Sequence, residues 1–89
     1  MGSEPMFEAI FSDEALSFLK KLDDKAAERI LDKIDDSLAA PERFFKRLSG
    51  REEFRLRIGD YRAIARIMAQ EKKVFIISIG HRKNVYERK

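Results

Sequence analysis

The chain reads as an α+β domain in the order β-α-α-β-β-β, with a helical hairpin packed on one face of a mainly antiparallel four-stranded sheet. Three observations give that reading. Apolar residues recur at helical spacing between Ala15 and Leu38. From Glu53 onward they alternate with charged residues, the period of a half-buried strand. The dipeptide Gly59-Asp60 then interrupts the alternation with a two-residue turn signal. At 89 residues and 44% apolar content, the chain supports one domain with one small core. Met1 to Pro5 carry no periodicity and read as a disordered lead-in or an expression remnant, so the domain is taken as 6–89.

Taken in order, Met6 to Phe11 is short, apolar and partly alternating, hence a strand. Ser12 is a good N-cap, and Asp13 and Glu14 follow in the first turn, where the helix dipole favours anions. Ala15, Phe18, Leu19 and Leu22 form the apolar stripe of the first helix. Asp23-Asp24 caps a second helix, whose stripe is Ala27, Ile30, Leu31, Ile34 and Leu38 and whose stop is Pro41. Residues 41–51 read as a basic loop pinned to the core by Phe44, Phe45 and Leu48. In 53–58, Phe54, Leu56 and Ile58 share one face, and Arg55 and Arg57 share the other. Gly59 stands first in the turn, as a type II′ hairpin prefers, and 61–68 is the return strand. Val74 to Ile79 is apolar on both faces and therefore central, and the residues after His81 are polar and cationic. The helices must cover the face carrying Phe54, Leu56 and Ile58, which leaves Arg55 and Arg57 on the open one.

The net charge of +3 conceals two unlike halves. Residues 1–42 carry 5 basic and 11 acidic side chains, and residues 43–89 carry 14 and 5. The second half is thus strongly cationic and suits an anionic partner. There is no cysteine, hence no disulfide framework and no thiolate metal site. With one histidine and scattered carboxylates, no metal or other cofactor is expected. No apolar run approaches the roughly 20 residues that span a bilayer, and no signal peptide is recognisable. The expected setting is cytoplasmic, without a membrane partner.

The candidate site is a set of cations gathered by the sheet. Arg55 and Arg57 lie on one strand, and Arg62 and Arg66 on its hairpin partner. His81, Arg82, Lys83 and Tyr86 follow the last strand. Guanidinium forks match phosphate oxygens. An imidazole has an unperturbed pKa near neutrality, suited to proton transfer. A mouth lined by Arg55, Arg57, Arg62, Arg82, His81 and Tyr86 would serve phosphodiester cleavage by the substrate's own 2′-OH. That reaction needs cations to offset charge building on the phosphoryl oxygens, a base for the 2′-OH and an acid for the leaving 5′ oxygen. Each residue also has a plainer role. Strand arginines solubilise a sheet face, a histidine at a strand end is often only polar surface, and Tyr86 can anchor the chain end by its ring. Tyr61 reads as a structural aromatic beside the turn.

The run Phe54-Arg55-Leu56-Arg57-Ile58-Gly59-Asp60-Tyr61-Arg62, with Leu48-x-Gly50 before it and the ending His81-Arg82-x-x-Val85-Tyr86, resembles the RelE/ParE toxin superfamily, and within it the RelE-type branch. The resemblance covers nearly the whole chain from Met6. It implies a microbial RNase-like fold and a toxin of a type II toxin–antitoxin system that cleaves mRNA in the ribosomal A site and so inhibits translation. It implies an acidic, RelB-like antitoxin that folds on binding, with the ribosome and mRNA as further partners. By the same resemblance, Arg62 holds the phosphate, Arg82 matches a C-terminal arginine, and Tyr86 positions or stacks on the substrate. Arg66 and Lys83 extend the RNA contact. Arg55 and Arg57 stand where the family often has lysines that act as base or phosphate binder. Arginine stays protonated at accessible pH, so these two stabilise charge but are poor bases; either His81, ranked first, carries the proton transfer, or a carboxylate such as Glu53 does, or the enzyme relies mainly on electrostatics and substrate alignment. Two other classes of function fit the sequence: a ParE-type inhibitor of DNA gyrase, and a non-catalytic RNA-binding module.

Overall fold

In the computed structural model, which describes residues 6–50 and 52–81, Ser12 is where strand turns into helix. Its backbone is extended, its side-chain oxygen accepts a hydrogen bond from the Ala15 N–H at 3.0 Å, and helix α1 (Asp13–Lys21) begins behind it. Asp13 and Glu14 occupy the first turn and Lys20 and Lys21 the last, so both ends complement the helix dipole. Asp23 repeats the device for α2 (Asp24–Ser37), its carboxylate accepting from the Ala26 N–H at 2.8 Å.

Among the described residues, five strands form one sheet: β1 (Glu8–Phe11), β2 (Lys46–Arg47), β3 (Phe54–Ile58), β4 (Tyr61–Met68) and β5 (Lys73–His81), in the spatial order β1-β5-β4-β3-β2. The α+β class and the β3-β4-β5 meander agree with the sequence reading, and the strand count exceeds it by one. The segment expected as a basic loop holds a one-turn helix, α3 (Pro41–Phe44), and the short edge strand β2. Pro41 does not end α2, which stops at Ser37; it sits in the first turn of α3, where its missing N–H costs nothing. β1 runs parallel to β5, from Glu8 opposite Lys73 to Phe11 opposite Ile76.

Gly59 has φ 57°, as the first central residue of a II′ turn does, and the hairpin closes with Ile58 opposite Tyr61. β4 and β5 pair regularly from Tyr61–His81 to Ile64–Ser78 and again from Ala65–Ile76 onward. Ile77 is therefore the extra residue of a β-bulge. Its carbonyl accepts the Ser12 hydroxyl at 2.6 Å, which ties the start of α1 to the bulge.

α1 lies against β5 and β1, and α2 against β3. Ala15, Ile30, Ile34, Leu56, Ile58, Ala63, Ala65, Val74 and Ile76 fill the space between helices and sheet, all buried. At about 25 cal/mol per Å², each fully buried aliphatic side chain contributes on the order of 2 kcal/mol. Two residues expected in the core are outside it. Leu31 is 41% exposed, on the flank of the α2 stripe, and Phe44 is 39% exposed, while its neighbour Phe45 is buried. No helix among the described residues is long and apolar enough to cross a membrane.

Candidate nucleic-acid interface

Register settles which cations share a face. Arg57 stands directly opposite Arg62 across the β3–β4 hairpin, and Arg55 stands opposite Ile64. Cross-strand partners point to the same side of a sheet, as do residues two apart on one strand. Arg55, Arg57, Arg62 and Arg66 therefore lie on one face. The alternate residues Leu56, Ile58, Ala63 and Ala65 belong to the core under the helices, so the arginine face is the one the helices leave uncovered. β2 extends the row, since Lys46 pairs with Arg55.

The four arginines are held differently. Arg57 and Arg66 are exposed, whereas Arg55 and Arg62 are half-buried, and the Nε of Arg62 is itself buried. Both half-buried arginines stand on strands paired on either side, and a guanidinium whose Nε is itself buried has fewer rotamers to lose on meeting a ligand, which puts Arg62 ahead of Arg55. Arg66 Nη1 lies 3.9 Å from Glu52 Oε1, both side chains largely in solvent, a pairing worth little in free energy.

His81 is not part of this row. It is the last residue of β5 and pairs with Tyr61 rather than leaving the sheet as expected. Tyr61 faces the helices, and so does His81. Their ring centroids are 4.9 Å apart, and Phe18 of α1 meets both rings edge-on, at 6.1 Å from Tyr61 and 6.4 Å from His81. The Ile77 bulge is the cause. Strict alternation from Val74 and Ile76 would place Ser78 and Gly80 under the helices and His81 with the arginines. The extra residue reverses the order, so Ile79 is buried in the core and His81 follows it to the helix face. The structure thus joins Arg55, Arg57, Arg62 and Arg66 and separates His81 from them. Arg82, Lys83 and Tyr86 lie outside the described residues. Lys46, which sequence reading left in a loop, joins the row; its only signal was the lysine's place beside Arg47 just before Leu48-x-Gly50.

A row of cations in this arrangement can bind phosphates along a strand and offset charge on them. Among the described residues, no group of three or more histidine, aspartate or glutamate side chains gathers as a metal site would. The ParE toxin family of type II toxin–antitoxin systems, parDE, matches the chain over residues 9–86. The chain belongs to that family. Among solved structures, the toxin is similar to a chain in the RelBE2 toxin–antitoxin complex of Mycobacterium tuberculosis, with 26% identity, TM-score 0.77, and coverage of 88% of this chain and 100% of the other. It is similar to a chain in the intact E. coli RelBE complex, with 26% identity, TM-score 0.70, and coverage of 92% and 99%. A chain of the archaeal RelE–RelB complex from Pyrococcus horikoshii shares the fold at 23% identity and TM-score 0.73, over 89% and 98%. Comparison with curated protein sequences finds no significant match. The toxin is therefore a type II toxin of the RelE/ParE group, with the RelE fold.

Proposed function

We propose that this toxin is a ribosome-dependent endoribonuclease that cleaves mRNA in the A site by attack of the 2′-OH on the adjacent phosphorus. The observation that carries the reading is the arginine row, with Arg57 and Arg62 directly opposite each other on the uncovered face. Two guanidinium groups carried side by side on one face can share a phosphoryl group and offset the charge that grows there; one such donor is typically worth about 10²–10³ in rate. Arg62 is the principal phosphate ligand, and Arg55, Arg57 and Arg66 align the strand. The family resemblance adds Arg82 and Tyr86, and Lys83 is a further cation beside them. The P–O5′ bond breaks as the O2′–P bond forms; with His81 turned to the helices, catalysis rests on charge stabilisation and alignment, water taking the 2′-OH proton and supplying one to the leaving 5′ oxygen. The partner is an acidic RelB-like antitoxin that folds as it binds, in keeping with RelE chains solved in complex with RelB. The likeness to RelE supports this reading over simple RNA binding.

A second reading has an observation of its own: the matching family is named for ParE. A ParE-type toxin would inhibit DNA gyrase without cutting RNA. Translating extracts separate the two. Cleavage of ribosome-bound mRNA mapped by primer extension supports the ribonuclease. DNA damage and gyrase inhibition with intact mRNA would replace it with the gyrase reading.

A further inference from the structure

A second cationic feature lies where β3 passes the end of β2. A depression of about 360 Å³ is lined by Lys33 of α2, Arg43 and Phe44 of α3, Lys46 of β2, and Arg55, Leu56 and Arg57 of β3. Five of these seven are cations, brought together from four elements. No carboxylate is found among the described residues lining it. The neighbouring groove between α2 and the Gly59 turn makes the contrast. It also holds Lys33 and Arg57, but Glu28, Asp32 and Asp36 stand among its cations and offset them. Like charges gathered around one depression raise its potential and lower the free energy of any anion that enters.

The depression has an aromatic wall as well. Phe44 is 39% exposed, an uncommon placement for so large an apolar ring, and the Lys33 ammonium lies 5.7 Å from its centroid. Exposed aromatic faces beside a cationic track are how proteins hold single-stranded nucleic acid, with phosphates on the cations and bases on the rings. Arg55 and Arg57 belong both to this depression and to the sheet-face row, so the two surfaces are continuous.

We propose that this pocket at the β2–β3 edge binds a single-stranded RNA beyond the sheet-face row, taking a phosphate among Lys33, Arg43 and Lys46 and stacking a base on Phe44. The inference rests on the reading that the arginine row binds RNA. It makes the recognised ligand a ribonucleotide chain long enough to cross the sheet edge, rather than the few nucleotides around the cleaved bond.

The test is fluorescence anisotropy of the purified toxin with 2′-O-methyl oligoribonucleotides, which cannot be cut. A short probe of about three nucleotides spans the row alone, and one of about nine reaches the pocket, within the usual site sizes. The expected result is that Lys33→Ala/Arg43→Ala, which leaves every residue of the row in place, weakens the long probe about tenfold or more and leaves the short one unchanged. The long probe's log–log salt slope should become shallower by about 0.7 for each phosphate that is no longer neutralised. Phe44→Leu should cost the long probe about tenfold without altering the slope. Equal losses for both probes, or none, from the double variant would overturn the pocket, and a Phe44→Leu variant that binds like wild type would overturn the stacked base. Arg62→Ala separates the two readings. If it weakens both probes while the pocket variants weaken neither, the pocket fails and the row stands; if no variant weakens either probe, both fall. Pocket variants that lose only an acidic peptide, and no RNA, would hand the pocket to a protein partner and overturn the proposal.

Discussion

His81 packs against Tyr61 on the helix side of the sheet, ring centroids 4.9 Å apart and planes inclined by 34°. Tyr61 packs against the core and His81 lies exposed beside it, with Phe18 edge-on to both rings. An imidazole placed there adds ring contacts at the rim of the core. It stands on the opposite side of the sheet from Arg57 and Arg62.

His81→Ala should therefore keep single-turnover cleavage within a few-fold of wild type on saturating ribosomes. The loss should appear in stability, on the order of 1 kcal/mol for one aromatic pair, read by urea denaturation. His81→Phe should restore most of it. A drop in cleavage of about 10²-fold in a protein that unfolds at the wild-type urea concentration would return proton transfer to His81.

Arg62 is the opposite case. Its strand is paired on both sides and its Nε is buried, so its fork is positioned before substrate arrives. Arg62→Ala should lower single-turnover cleavage by about 10²-fold or more, and Arg62→Lys should recover only part, since an ammonium cannot bind bidentately. The measurement is rapid-quench cleavage of a programmed ribosome. Wild-type rates for Arg62→Ala would remove the row from the chemistry.

Ser12 joins two elements through one hydroxyl, accepting from Ala15 and donating to the bulge carbonyl of Ile77. Ser12→Ala should cost about 1–2 kcal/mol, the sum of a cap and a part-buried hydrogen bond. Ser12→Asp keeps the acceptor but has no proton for Ile77, so it should not restore wild-type stability. Ser12→Thr keeps both groups and should. Denaturant midpoints for the three variants decide it, and an Asp variant as stable as wild type would show that the hydrogen bond to Ile77 contributes nothing.

Much of this arrangement is legible in the sequence, and the parts that are not share a cause. Ser12 and Asp23 announce their helices because capping is a local interaction. Gly59-Asp60 announces the hairpin for the same reason, whereas which arginines share a face depends on the register, and the structure supplies it in the pairing of Arg57 with Arg62. The bulge is silent. Val74 to Ile79 is apolar nearly throughout, so no charged residue marks where the alternation reverses, and the face of His81 depends on that reversal. β2 is two charged residues long and carries no periodicity to read. Leu31 and Phe44 match apolar patterns whose partners the tertiary packing does not supply.

The pairing of Arg57 with Arg62 yields the last prediction. Like charges directly opposite on neighbouring strands destabilise a sheet by some tenths of a kcal/mol up to about 1 kcal/mol. Arg57 is exposed and Arg62 half-buried, so the repulsion is relieved most simply at Arg57. Arg57→Thr, which also suits a strand, should make the free toxin more stable by about 0.5 kcal/mol at low salt, and the gain should shrink toward the propensity difference alone in about 1 M salt, where the Debye length is about 3 Å. The same substitution should lower cleavage at sub-saturating ribosome and make the salt dependence of RNA binding shallower by about 0.7 in log–log slope. Stability and activity then move in opposite directions, as expected of a cation that serves binding more than the fold. Paired urea titrations at low and high salt, alongside binding isotherms on the same protein, measure both arms. A variant that is less stable at low salt, or one with an unchanged salt slope, would show that Arg57 is held by other groups and takes no part in the phosphate site.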